Sequence, residues 1–234
     1  MLDSLLAGRS DLWRGRQLPA AARPGEPTGY PELDVLLPGG GWPRGGLIEL
    51  LPAAPGGGAL ELMLPAVARL SARPGWVALV DSPLQPFAPG FAGHGVRIER
   101  LLWIRPRDAA ECLWVLEQTL RSGECSIVIG WPGRAVAREA VRRLQLAAET
   151  GQGLGCLMLS SAAAGRASAA ALRLKVHRRG RDLEVEVLKR RGGWALPPQR
   201  LSRGPAGGGR GPGDEKGRHG NSAAAACSGK ATGG

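Results

Sequence analysis

The sequence predicts an α/β protein in which a mainly parallel sheet is flanked by helices and ends in an antiparallel hairpin. Short, continuous apolar segments alternate along the chain with amphipathic segments of helical periodicity, as strands joined by crossover helices do. The last two strand-like segments alternate apolar with polar residues, which is typical of a hairpin at a sheet edge. Because 43% of the 234 residues are hydrophobic, the chain can form a sizeable core.

The expected elements follow from these patterns in chain order. Buried strands are predicted at Leu47–Leu51, Trp76–Val80, Leu101–Ile104, Ser126–Trp131 and Gly155–Ser160, and the hairpin strands at Leu172–His177 and Leu183–Lys189. Helices are predicted at Leu60–Leu70, Ala109–Arg121 and Arg134–Thr150. Pro65 should mark the first turns of its helix or a kink, and Gly123 should end the second helix.

The two ends of the chain differ from this core. We expect residues 1–27 to form an N-terminal docking helix and a Pro/Gly-rich linker, and residues 28–201 to form the core. Residues 202–234 are predicted to be a disordered basic tail, because they contain almost no branched apolar residue. An apolar stripe on the N-terminal segment predicts partner docking through Leu5, Leu6, Leu12 and Trp13. The alternative is that this helix folds back onto its own sheet.

Charge and cysteine usage narrow the function classes. The net charge is +11, and residues 173–234 carry 14 basic against 5 acidic residues, which favours a polyanion such as nucleic acid unless Arg-rich usage only reflects genome composition. The four cysteines lie far apart without metal-ligand spacing, so neither a zinc site nor a disulfide framework is expected. With no secretory signal and no transmembrane segment, we expect a cytoplasmic protein without membrane contact.

The turn after the first core strand occupies the position of a phosphate-binding loop. A working loop has the pattern GxxxxGK[ST], in which the lysine reaches the phosphates and the hydroxyl holds Mg²⁺. The corresponding residues here are Pro52, Gly57, Gly58 and Ala59. Because the lysine and the hydroxyl are both missing, we expect no nucleotide binding, no catalytic residue and no metal or cofactor.

The order of motifs along the chain resembles the RecA core. The resemblance starts with TGYPELDVLLPGGGWPRGGLIEL, continues through WVALVDSPLQPF and RIERLLWIRP, and ends with LKRRGG, covering about residues 28–193. Within that fold, LWRGR, LLPGGGWPRG, RLLWIRP, RRLQLAAE and VEVLKRRGG resemble the ImuA family, which is grouped with the SulA cell-division inhibitors. A RecA-like fold is therefore expected, and the ImuA family is likewise known for lacking a sound phosphate loop.

The resemblance also implies site residues and partners. The catalytic carboxylate of RecA proteins, two residues after Asp81, falls on Pro83, and the Mg²⁺-linked acid falls on Gly130, so a pseudo-ATPase is expected. ImuA proteins imply an ImuB-like protein and an error-prone DNA polymerase α subunit as partners in SOS-induced translesion synthesis, with RecA as a further partner. Lys189, Arg190 and Arg191 form either a contact for DNA or an acidic partner, or a solvated edge.

Three functions remain open at this point. The first is a non-enzymatic accessory protein of translesion DNA synthesis that acts through protein contacts. The second is a divergent RecA-like, DNA-binding ATPase with an unusual loop, for which the loop offers no lysine. The third is an SOS-induced cell-division inhibitor of the SulA type, which shares the fold and the lost loop.

Overall fold

An eight-stranded sheet forms the centre of the molecule. The structure, a computed structural model, describes residues 24–54, 56–133 and 136–202. The strands are β1 (Leu47–Pro52), β2 (Trp76–Val80), β3 (Leu101–Ile104), β4 (Cys125–Gly130), β5 (Leu154–Met158), β6 (Leu172–Arg179), β7 (Asp182–Arg190) and β8 (Leu196–Leu201). They lie in the order β3-β2-β4-β5-β1-β6-β7-β8. The strands from β3 to β6 in this order pair in parallel, whereas β7 and β8 are antiparallel to their neighbours.

Helices connect the parallel strands and cover both faces of the sheet. They are α1 (Pro31–Asp34), α2 (Ala59–Ser71), α3 (Ala88–Gly93), α4 (Ala109–Arg121) and α5 (Arg138–Gly151). Asp108 begins α4 by accepting hydrogen bonds from two backbone N–H groups of its first turn, at 2.9 and 2.8 Å. Pro65 lies inside α2, which continues through it to Ser71.

The core has two layers because successive residues of a strand point to opposite faces of the sheet. In β1, Ile48 and Leu50 pack on the side of α2, whereas Leu47 and Leu51 pack on the side of α4 and α5. All four are fully buried. This burial on both faces is why β1 reads in the sequence as an apolar segment in which Glu49 is the exception.

The predicted fold class is confirmed: the sheet is mainly parallel, flanked by helices, and ends in an antiparallel hairpin. The bounds of β2, β3 and α4 coincide with those predicted from the sequence. The hairpin also carries a third strand, β8, which was not predicted. Pro197 and Pro198 hide it from a sequence pattern, and they are tolerated because β8 lies at the sheet edge.

Glu26 attaches the segment before α1 to the rest of the fold. This residue forms a bridge with Trp42, is 1% exposed, and accepts hydrogen bonds from Arg44 at 3.0 Å and Arg73 at 2.7 Å. Burial by itself raises the pKa of Glu26, but these hydrogen bonds and the charges of Arg73 and Arg69 outweigh it and hold the pKa below its ordinary value. The carboxylate therefore stays ionised at neutral pH.

The predicted docking residues, Leu5, Leu6, Leu12 and Trp13, and residues 203–234 of the predicted tail lie outside the described residues. The division of the chain into three parts stays a prediction. Cys112, Cys125 and Cys156 are buried free thiols. Among the helices of residues 24–54, 56–133 and 136–202, none combines the length and the apolar composition that a membrane-spanning helix requires.

Candidate functional site

The position of the phosphate loop, between β1 and α2, opens onto a cavity of about 1020 Å³. We call this cavity the cleft. The segments that follow β1, β2, β4 and β5 line it together with Arg178 of β6. It therefore lies outside the carboxyl ends of the parallel strands, where open α/β sheets bind their ligands.

Three backbone N–H groups of the loop, at the position of a phosphate cradle, donate hydrogen bonds within the chain. Ala53 donates to the carbonyl of Val176 at 2.9 Å, Gly57 to that of Ala54 at 2.9 Å, and Gly58 to that of Gly56 at 2.8 Å. A phosphate bound in the loop would have to replace these hydrogen bonds. At these three positions the loop is hydrogen-bonded within the chain and is not open toward an anion.

The position of the missing lysine is closed by packing. Gly58 has a φ of +88°, and a Cβ atom placed on it would lie 2.4 Å from Cδ2 of Leu183 in β7. Leu183 is itself 1% exposed. A lysine at this position would require both a left-handed backbone and the displacement of a core side chain.

A carboxylate from the chain itself occupies the start of α2. Glu61 lies in the first turn, its side chain is 12% exposed, and it forms an ion pair with Arg178. A negative charge is favourable at this end of a helix because the N-terminus carries positive potential. In a nucleotide-binding protein the phosphates use this potential, whereas here Glu61 does.

The remaining catalytic positions offer no replacement chemistry. Pro83 lines the cleft and has no group that could act as a base. Asp81 has a φ of +57° and contacts Cys112, whose pKa is raised to about 11 by burial and by the charge and hydrogen bond of Asp81. A Cβ atom on Gly130 would lie 2.5 Å from Cδ2 of Leu116, so an acidic side chain does not fit there.

The wall of the cleft suits apolar groups. Leu84 and Phe87, which follow β2, remain 79% and 70% exposed, and Phe91 and Trp131 lie deeper in the wall. Among the described residues of the lining, Glu61 is the single carboxylate, and it is paired with Arg178. The cleft can therefore hold apolar side chains.

The predicted basic trio at the end of β7 contacts its own chain. Lys189 donates to the carbonyls of Ser168 and Ala170 at 2.6 and 2.8 Å, and desolvation lowers its pKa, with neighbouring arginine charges acting in the same direction. Arg190 donates to the carbonyl of Trp194 at 3.0 Å, and the third residue, Arg191, forms an ion pair with Glu149 at 2.9 Å. A contact of this trio with DNA or an acidic partner stays a prediction.

Sequence patterns did not reveal a buried ion pair beside the trio. Glu49 of β1 and Arg173 of β6 are 1% and 6% exposed, and their side chains meet at 2.5 Å. Ser168 donates to the second carboxylate oxygen at 2.7 Å. The available signal was a glutamate inside an otherwise apolar strand, because such a residue requires a buried cation.

The chain is similar in sequence to two groups of known proteins, SulA proteins and ImuA proteins. A family model described as "Cell division inhibitor SulA" matches residues 54–155. The chain is 31% identical to the SulA protein of Edwardsiella piscicida over 117 residues, which covers 50% of this chain and 69% of that protein. It is 34% identical to the ImuA protein of Caulobacter vibrioides over 147 residues, which covers 59% of each chain.

Two further similarities cover smaller parts of the proteins compared. RecA of Streptomyces avermitilis is 32% identical over 135 residues, which span 55% of this chain and 35% of that RecA. The crystal structure of SulA from Pseudomonas aeruginosa aligns with a TM-score of 0.42 and 27% identity, covering 48% of this chain and 95% of that chain. The chain thus matches about a third of the RecA length and somewhat more than half of the ImuA length.

Proposed function

Because the chain belongs to the SulA family and is similar to an ImuA protein over more than half its length, we propose that it is a non-catalytic accessory protein of the bacterial DNA-damage response. It serves SOS-induced translesion DNA synthesis and acts by contacting other proteins. Its partners are an ImuB-like protein and an error-prone DNA polymerase α subunit, with RecA as a further partner.

One observation carries the non-catalytic part of this proposal. The loop amides of Ala53, Gly57 and Gly58 are hydrogen-bonded within the chain, and Leu183 fills the space that the phosphate-binding lysine would need. Without that lysine, a hydroxyl ligand for Mg²⁺ and a catalytic base, several kcal/mol of transition-state stabilisation are missing. The protein is therefore a pseudo-ATPase.

Two measurements test this function. Purified chain, with and without single-stranded DNA, should neither bind ATP at micromolar concentration nor hydrolyse it. In the host, deletion of the gene should abolish damage-induced mutagenesis, and the purified chain should associate with its ImuB-like protein. ATP turnover at RecA-like rates, or unchanged mutagenesis in the deletion strain, would contradict the proposal.

Division inhibition is the second candidate, and one observation favours it. The chain matches 69% of the length of a SulA protein that is named a cell division inhibitor, against 59% of an ImuA protein. Overproduction of the chain separates the two functions. Filamentous cells together with direct binding to the tubulin-like division protein favour inhibition, whereas normal division together with restored mutagenesis favours the accessory role.

A further inference from the structure

A second cavity, of about 470 Å³, lies between the start of α5 and the segment that follows β5. We call it the arginine pocket, because Arg138, Arg166 and Arg173 are among its lining residues. Much of the remaining wall is aliphatic, including Val136 and Leu159. Its volume lies in the range of sites that bind small ligands or a few side chains.

The arginine pocket carries uncompensated positive charge. Glu49 is the single acidic residue among its described lining residues, and Arg173 and Ser168 already contact its two carboxylate oxygens. Arg138 and Arg166 are exposed, and neither has a carboxylate partner within residues 24–54, 56–133 and 136–202. Two guanidinium groups are therefore available to a ligand.

The segment after β5, which carries Arg166, is fixed by hydrogen bonds from Arg173 and Lys189. Arg173 donates to the carbonyl of Ala163 at 2.7 Å and to that of Arg166 at 2.6 Å. Lys189 donates to the carbonyls of Ser168 and Ala170, farther along the same segment. Because this segment is already fixed at both ends, little conformational entropy is lost in ordering it when a ligand binds.

The start of α5 adds to the positive potential. The helix is 14 residues long, and its N-cap residue, Ala137, makes no side-chain hydrogen bond to its first turn. Ala137 and Arg138 both line the arginine pocket. The N–H groups of an uncapped first turn and the positive end of the helix dipole favour an oxyanion at this point.

The pocket suits a carboxylate better than a nucleic-acid strand. Its described lining contains no aromatic side chain on which a base could stack. Its cations face a single concavity, whereas a phosphate backbone is followed by cations spread along a groove. Paired guanidinium groups next to aliphatic walls match an acidic side chain with aliphatic neighbours.

We propose that the arginine pocket is a docking site for a short segment of a partner protein, in which one acidic residue is flanked by aliphatic residues. The carboxylate lies between Arg138 and Arg166, and the flanking side chains contact the aliphatic wall. This inference rests on the proposed function in one respect, because it takes the partner to be a protein.

The test is an amide chemical-shift titration of the isotope-labelled full chain with the blocked pentapeptide Ala-Leu-Asp-Leu-Ala. We expect saturable shifts around the pocket, and none with the same peptide carrying asparagine. Arg138→Gln and Arg166→Gln should each weaken binding about tenfold, the loss of one charge-assisted contact. Arg142→Gln is the matched control, because this exposed arginine lies one turn later on α5 and does not line the pocket.

Three outcomes would overturn the inference. Arg142→Gln could weaken binding as much as Arg138→Gln, the asparagine peptide could bind equally well, or only a single-stranded oligothymidylate could cause shifts at the pocket. The complex with the ImuB-like protein separates this inference from the proposed function. If Arg138→Gln/Arg166→Gln leaves that complex intact, the pocket assignment alone is wrong, whereas failure of the wild-type chain to form it refutes the function.

Discussion

Replacing Arg173 with methionine should destabilise the core strongly, because it removes one partner of a buried ion pair. Glu49 is 1% exposed and would keep one hydrogen bond, from Ser168. The carbonyls of Ala163 and Arg166 would also lose their donor. Methionine keeps much of the unbranched apolar stem, so the change isolates the guanidinium group from most of the packing.

The expected magnitude follows from this geometry. Breaking a buried ion pair by removing one partner costs about 4 kcal/mol, since the other charge stays buried without compensation. In a domain of this size, each kcal/mol lowers the melting temperature by roughly 2–4 °C, so we expect a decrease of roughly 8–16 °C. Opening of the segment after β5 should also accelerate tryptic cleavage after Arg166.

The assay compares thermal unfolding of Arg173→Met with Lys175→Met, which changes a half-buried cation two residues farther along the same strand. Lys175 has no ion-pair partner among the described residues, so its replacement should change stability by no more than about 0.5 kcal/mol. The double variant Glu49→Gln/Arg173→Met should recover part of the loss. Equal melting temperatures for the two single variants would refute the reasoning.

Four further outcomes are expected. Gly58→Lys, alone or combined with Ala59→Ser, should not confer ATP binding. It should lower the free energy of unfolding by about 2 kcal/mol more than Gly56→Lys does, because both glycines have a positive φ but only the side chain at position 58 would meet Leu183. Glu26→Gln should lower the free energy of unfolding by about 2 kcal/mol at neutral pH. Because the pKa of Glu26 in the folded protein lies below the ordinary 4.5, the difference between variant and wild type should shrink as the pH falls below 4.5. Denaturation curves at several pH values measure this difference. Truncation after Leu201 should leave the melting temperature unchanged, whereas removal of β8 as well should lower it by several degrees, since Leu201 is fully buried. Trp13→Ala should weaken partner association by about 2 kcal/mol without lowering the melting temperature of the chain alone, which calorimetry and a binding titration can separate.

The parallel strands and their helices could be predicted from the sequence because burial produces a recognisable pattern of apolar residues within each element. β2 and β3 are continuous apolar segments, and α4 has its buried residues at helical spacing. Trp114, although a large apolar residue, lies 61% exposed on the outer face of α4. Residue type alone did not indicate which side of the helix it faces.

The site was predictable only in part, since its decisive features join distant residues. The missing lysine and hydroxyl are visible as Gly58 and Ala59, whereas the contact that closes the loop comes from Leu183, far along the chain. Arg173 reads as a solvent-facing residue in an alternating strand, yet it is 6% exposed because Glu49 lies on the neighbouring strand. Strand order, which sets such pairs, leaves no local pattern.

The prolines of β8 have a consequence for how this sheet can associate with other sheets. Pro197 and Pro198 lack backbone N–H groups. Because successive residues of a strand direct their N–H groups to opposite sides, one of the two removes a donor from the outer edge and interrupts the hydrogen-bond ladder that a further strand would form there. The opposite edge, β3, has no proline. Association from edge to edge would therefore join β3 to β3 around a twofold axis, and such a closed pair cannot grow into a fibre.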